Sequence, residues 1–178
     1  WCGSGFLSKF VLAKLPKLES MLINDLNPDA IACAQENISD ARAHFTVGNG
    51  IEKIKGKKVD LLMCNPHYVP RPHSIDDNPY EGVELLHHLI HEGHQYLNPN
   101  GMMVVNMSSL CKGIVLKKKP IGIKSHILAT REVPLKVNNI LNNKKWMSYL
   151  LSHGLRAREK MSYPYWQRLE IMAFEKKS

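Results

Sequence analysis

Residues 20–31 read Ser20-Met21-Leu22-Ile23-Asn24-Asp25-Leu26-Asn27-Pro28-Asp29-Ala30-Ile31, and this stretch decides the fold. Met21-Leu22-Ile23 is a short apolar run of the kind that forms a buried parallel strand. Asn27-Pro28 is a capping residue followed by proline at a first helical position, and Ala30, Ile31, Ala34 and Ile38 continue with helical spacing. A strand therefore runs into a helix through the corner Asp25-Leu26-Asn27. The alternation extends both ways. Upstream, Gly3-Ser4-Gly5 leads into a helix over Phe6–Lys14 that groups Phe6, Phe10 and Ala13 on one side, with Pro16 beyond its end. Downstream, residues 44–47 read as a strand closed by Gly48-Asn49-Gly50, and residues 59–64 as another that ends at Asn65-Pro66. After a polar, proline-rich loop over 71–81, a helix over 82–96 directs Val83, Leu86, Leu89, Ile90 and Gly93 inward. Residues 98–101 form a turn and 102–107 a further strand.

Strands that alternate with helices imply right-handed βαβ units and a parallel sheet. The last third changes character. Residues 111–136 form a basic insertion without a clear period, containing Lys117-Lys118-Lys119-Pro120. Residues 138–153 read as a helix stopped by Gly154, and 155–161 and 168–174 as strands around Ser162-Tyr163-Pro164-Tyr165-Trp166. The expected fold is α/β: a Rossmann-like, doubly wound, mostly parallel sheet with an antiparallel C-terminal edge strand. One domain is expected over residues 1–178. A first strand belongs before Gly3, so most of that strand, or an upstream segment, is expected to be missing.

Composition narrows the function classes. With 44% hydrophobic and 22% charged residues the chain is globular. No apolar run reaches the roughly 18–20 residues that span a bilayer, so no membrane partner is expected. The formal charge of +8 is unevenly spread: residues 1–111 carry 9 Lys/Arg against 12 Asp/Glu, and residues 112–178 carry 15 against 4. An anionic partner such as RNA or DNA is thus expected at the C-terminal third. Cys2, Cys33, Cys64 and Cys111 form no CxxC, which suits reduced thiols in the cytoplasm. His87, His88, His91 and His94 share helix spacings, but His91-Glu92-Gly93-His94 is not HExxH, and solvated histidines with no metal are expected.

In open α/β sheets ligands bind outside the C-terminal ends of the strands. Gly3-Ser4-Gly5 would let a ligand approach the backbone at a helix start. Asp25 could accept hydrogen bonds from a ribose diol, and Asn49 could meet a base edge. Asn65-Pro66-His67-Tyr68 follows the strand over 59–64. These features describe a nucleoside-containing cofactor with a polar reacting site beside it.

The runs Trp1-Cys2-Gly3-Ser4-Gly5, Asn24-Asp25-Leu26-Asn27-Pro28-Asp29-Ala30 and Asn65-Pro66-His67-Tyr68-Val69-Pro70 resemble class I S-adenosylmethionine-dependent methyltransferases. They are most similar to the branch with an Asn-Pro-Pro-Tyr motif, including release-factor glutamine methyltransferases of the HemK/PrmC type. The resemblance implies S-adenosyl-L-methionine as cofactor, contacted by Gly3, Gly5, Asp25, Leu26, Asn49 and Asn65, and a catalytic set of Asn65, Pro66 and Tyr68. It departs from the family at Trp1 and Asn49, where acidic residues are usual, at Leu7, where a glycine is usual, and at His67, where the second proline stands. The nitrogen of a planar amide or exocyclic amine is a poor nucleophile because its lone pair is delocalised. Hydrogen bonds from its N–H groups to the Asn65 side-chain oxygen and the Pro66 carbonyl would hold it and stabilise the charge that develops. Tyr68 would stack on the flat group, and orientation alone can supply roughly 7–11 kcal/mol. The expected activity is methyl transfer to a protein glutamine, on a release factor-like partner. A base amine of rRNA, tRNA or DNA is the alternative, favoured by the basic tail, while the acidic loop from Asp76 to Glu81 favours protein. A non-catalytic subunit of the same fold is the third reading.

Overall fold

The capping signal at Asn27-Pro28 acts as its chemistry requires. Asn27 Oδ1 accepts from Asp29 N at 2.9 Å, and helix α2 runs Pro28–Asn37 behind it. The computed structural model describes residues 2–72, 81–117, 120 and 122–176. Trp1, residues 76–80 of the acidic loop, and Lys118 and Lys119 of the lysine run lie outside the described residues. The chain divides into two compact units, Trp1–Lys58 and Val59–Ser178.

In the first unit, strands β1 (Met21–Asp25) and β2 (Ala43–Val47) pair in parallel, with Ile23 opposite Phe45. Helix α1 (Phe6–Lys14) has the predicted bounds but not the predicted face. Phe6 is 79% exposed and Phe10 52%, while Val11 and Leu12 are buried. The reason is at its start: Gly5, at φ 77°, backs onto α2, and a Cβ there would lie 2.8 Å from Ile38 Cδ1 and 3.0 Å from Ala34 Cβ. That close approach rolls the helix so that Leu12 packs on Ile23 and Ile38. The guanidinium of Arg42 donates to Leu12 O at 2.9 Å and Leu15 O at 3.1 Å, closing the end of α1. Gly5→Ala meets both an overpacked contact and a left-handed backbone. It is expected to lower stability by about 2–3 kcal/mol, measured by urea unfolding.

The second unit holds a sheet in the order β3-β4-β7-β5, with β6 also paired to β7. Strand β3 (Val59–Cys64) is parallel to β4 (Leu97–Ser108), and β7 (Tyr163–Lys176) is antiparallel to β4. Strand β5 (Ile123–Pro134) is antiparallel to β7 on its other side. Strand β6 (Arg156–Lys160) pairs with the first residues of β7, beyond the stretch that β4 covers. The fold is therefore α/β with a mixed sheet, parallel strands and an antiparallel edge.

Helix α3 (Glu84–Glu92) buries Leu86, Leu89 and Ile90 as its period predicts, and a 3-10 turn, Gly93–Tyr96, follows it. Residues 98–101, read as a turn, lie within β4 as an irregularity: Val59 faces Leu97, but Leu61 faces Met102. After the short helix α4 (Lys112–Val115), the segment read as an insertion carries β5, a 12-residue strand. The expected helix over 138–153 is two helices, α5 (Asn138–Leu141) and α6 (Lys144–Ser152). Asn143 breaks it, because its side chain caps α6 by accepting from Trp146 N at 3.1 Å. The closing hairpin turns at Met161 and Ser162, both at positive φ (50° and 65°), rather than around residues 162–166. Left-handed backbone at two successive residues suits a tight hairpin turn and lets β7 begin at Tyr163.

Candidate active site

Within the first unit, the polar residues expected to serve a cofactor gather at the C-terminal ends of β1 and β2. Asp25 is 5% exposed, and its two oxygens hold main chain: Oδ2 accepts from Gly3 N and Oδ1 from Asn27 N, each at 3.0 Å. The acid thus ties the glycine turn to the strand end, and its remaining lone pairs are what a ribose could use. Gly3 has φ 53° and open space where a Cβ would stand, so its backbone can be approached closely. Leu26 is half-buried and Asn49 is exposed. Asn24, which carried no assigned role, donates from Nδ2 to Gly48 O at 3.0 Å and Gly50 O at 2.9 Å, fixing the loop that presents Asn49. Asp25→Ala strands the Gly3 and Asn27 N–H groups. A loss of about 1–3 kcal/mol is expected by denaturant unfolding, with weakened cofactor binding by calorimetry.

In the second unit Asn65, Pro66, His67 and Tyr68 line one side of a cleft of about 990 Å³. Asn65 is exposed, and its Oδ1 accepts from Asn106 Nδ2 at 3.0 Å, across the paired ends of β3 and β4. A carbonyl oxygen has two lone pairs, so one remains for a ligand N–H. Tyr68 is half-buried, and burial pushes its phenol above the ordinary value, which keeps it neutral at physiological pH. The loop beyond the motif is anchored by Trp146, whose Nε1 donates to Pro70 O at 2.9 Å.

The far side of the cleft is aromatic and basic. Lys136 Nζ lies 4.6 Å from the Tyr163 ring centroid, and Lys160 Nζ 5.3 Å from that of Trp166. Arg131 lines the same wall, whereas Tyr165 packs on the core around Leu135 and Leu150. Part of the tail's positive charge is already neutralised. Glu170, 1% exposed, takes Lys112 at 2.6 Å and Arg168 at 3.0 Å, and Glu132 takes Arg156 at 2.7 Å. A further lining residue, Gln167, is 5% exposed and accepts at Oε1 from Ser108 Oγ at 2.7 Å. Neither Asn106 nor Gln167 is marked in the sequence, because their places depend on strand register.

The histidines expected to be solvated are partly engaged: His87 stacks on His91 at 4.1 Å, His88 meets Glu92 at 3.0 Å, and His91 Nε2 lies 3.2 Å from Val115 O. Among the described residues no group of His, Cys, Asp or Glu is placed to hold a metal ion. No described helix is long and apolar enough to cross a membrane. All four cysteines are free, and burial pushes the Cys111 thiol up to about 12.

The family model for the methyltransferase small domain matches residues 1–119 of the 178. The chain belongs to that family. Among curated relatives, a release factor glutamine methyltransferase of Aquifex aeolicus is 30% identical over 122 residues, covering 59% of this chain and 43% of its own length. Ribosomal RNA large subunit methyltransferase G of Colwellia psychrerythraea is 26% identical over 98 residues, covering 52% and 25%. The chain spans less than half the length of either. The precorrin-6y C5,15-methyltransferase structure from Geobacter metallireducens superposes with TM-score 0.58 at 13% identity, covering 99% of this chain and 77% of that one. That likeness speaks to the fold. Family membership makes this a methyltransferase domain with S-adenosyl-L-methionine as its methyl donor, and the first unit's residues suit such a group: an approachable glycine backbone, a carboxylate and an exposed amide at adjoining strand ends.

Proposed function

We propose that this domain transfers a methyl group from S-adenosyl-L-methionine to a planar nitrogen, most directly the side-chain amide of a protein glutamine. The observation that carries the reading is Asn65, exposed in the cleft with Pro66 and Tyr68 and oriented through Oδ1 by Asn106. The cofactor supplies a methyl on a positively charged sulfur. In the first unit, Gly3, Gly5, Asp25, Leu26 and Asn49 would hold its nucleoside and carboxylate ends. In the second, Asn65 Oδ1 and the Pro66 carbonyl would accept from the substrate N–H groups, while Tyr68 stacks on its plane. Bound in the first unit, the cofactor would give up that methyl with the carbon–sulfur electron pair staying on sulfur, and the acceptor nitrogen would carry the positive charge until its proton leaves for solvent. Asn65 Oδ1 stabilises that charge while it forms. Among the relatives, the Aquifex aeolicus protein is named for release-factor glutamine, which supports the protein substrate. A cytoplasmic location goes with this reading, supported by four cysteines that form no CxxC.

A second reading, a base amine of RNA or DNA, is favoured by Lys136 on Tyr163, Lys160 on Trp166 and Arg131 along the cleft. The two are separated by incubating the chain with labelled S-adenosyl-L-methionine and either glutamine-containing protein or RNA. Labelled N5-methylglutamine supports the first reading. Labelled nucleoside, with binding that weakens steeply as salt rises, replaces it with the second. Cofactor binding without transfer to either would make the domain a non-catalytic subunit.

A further inference from the structure

Gln167 is buried in the wall of the cleft that Asn65, Pro66 and Tyr68 line, yet only half of its carboxamide is used. Ser108 is fully buried, and its Oγ accepts from Leu110 N at 3.1 Å while lying 2.7 Å from Gln167 Oε1. A hydroxyl has one proton to give. Turned the other way, the Gln167 amide would donate to Ser108 and leave that proton without an acceptor in the protein interior, an expensive arrangement. The hydroxyl therefore fixes the oxygen toward Ser108 and turns the NH₂ away from it. Among the described residues no group accepts from Gln167 Nε2. Gln167 Nε2 is not closed off by protein, and a donor held in one orientation and open to the cleft is placed to meet a ligand acceptor.

We infer that Gln167 Nε2 recognises the acceptor atom next to the methylated nitrogen, the carbonyl oxygen of a side-chain carboxamide. The inference rests on the protein-glutamine reading above. The two acceptors proposed for the nitrogen, Asn65 Oδ1 and the Pro66 carbonyl, respond to any N–H group, an alkyl amine included. A fixed donor in the same cleft selects a nitrogen whose neighbouring carbon carries an oxygen, which is the pattern of an amide. Such a contact acts on binding rather than on the chemical step. A hydrogen bond to the carbonyl oxygen favours the resonance form with its lone pair delocalised, so it does nothing to quicken attack by nitrogen. Gln167 is thus a specificity residue, and Ser108 is the residue that positions it.

The test uses the intact chain with N-acetylglutamine methylamide, N-acetylmethionine methylamide and cytidine as probes, followed by NMR shift titration. The wild-type chain is expected to bind the glutamine probe at least about tenfold more tightly than its methionine isostere, in line with sites that hydrogen-bond a polar substrate group. Gln167→Met should bring the two within about twofold and raise KM for the glutamine probe about tenfold, with kcat unchanged or higher. Gln167→Glu keeps the acceptor for Ser108 and sets a carboxylate oxygen against the carbonyl. It should weaken the glutamine probe further, and it serves if the methionine variant fails to fold. Retention of the wild-type preference by a folded variant overturns the role of Gln167 alone. A wild-type chain that prefers cytidine, or shows no preference for the glutamine probe, overturns the substrate reading itself.

Discussion

Asn65→Ala is expected to slow methyl transfer by about 10²–10³-fold while S-adenosyl-L-methionine binding stays largely intact. The alanine removes the side-chain oxygen proposed to meet the developing charge and leaves the backbone of the Asn65-Pro66 corner in place. It also strands Asn106 Nδ2, now 3.0 Å from the lost acceptor, but Asn65 is exposed, so water can replace that bond and stability should change little. Two neighbouring substitutions sharpen the expectation. Asn106→Leu keeps the Asn65 oxygen but frees its amide to turn, and a partial loss of about tenfold follows from weaker positioning. Asn65→Asp keeps an acceptor of the same shape, so it should retain more activity than alanine. The measurement is labelled methyl transfer to glutamine-containing protein, with cofactor affinity by calorimetry on the same preparations. Loss of cofactor binding in step with transfer would mean that Asn65 supports the structure, not the chemistry.

What could be read from the sequence was local. The start of α2 follows from a cap and a proline next to each other, and β3 from an apolar run ending at Asn65-Pro66. Strand β5 was hidden because its residues show no alternation: every position from His126 to Glu132 is exposed. It is a strand through its backbone pairing with β7, a partner some 40 residues on, and such pairing leaves no periodic mark. Helix α1 had the right bounds and the wrong face for a related reason. Its orientation is set by contact of Gly5 with Ala34 and Ile38, while its own sequence has apolar residues most of the way round. The site divides along the same line. The glycines, Asp25, Asn49 and the Asn65 motif sit at strand ends that periodicity locates. Asn24, Asn106 and Gln167 matter through bonds to other strands and loops, and the register of β7 on β4, with Ser108 opposite Leu169, places Gln167.

Trp146→Ala should destabilise the second unit by about 3–5 kcal/mol. Trp146 is 3% exposed within a cluster of Leu110, Leu135, Ile140, Met147, Leu150 and Leu155. Truncating it opens a cavity that helix α6 and the cleft wall share, and thermal unfolding should move down by roughly 10–20 °C. The same side chain also reaches the motif loop through its bond to Pro70 O, with the Arg71 guanidinium 5.8 Å from its ring. Packing and anchoring can be separated with Trp146→Phe, which keeps most of the buried ring and loses the indole N–H. That variant should cost about 1–3 kcal/mol, since the Pro70 carbonyl is left without its donor. Its larger consequence should be in function. Pro70 lies four residues beyond Pro66, so freeing it loosens the loop that carries the acceptor carbonyl and Tyr68, and KM for the methyl acceptor should rise while cofactor affinity holds. If Trp146→Phe loses stability but keeps the wild-type KM, the bond to Pro70 is a core contact alone, and Asn65 and Pro66 take their geometry from the β3–β4 pairing.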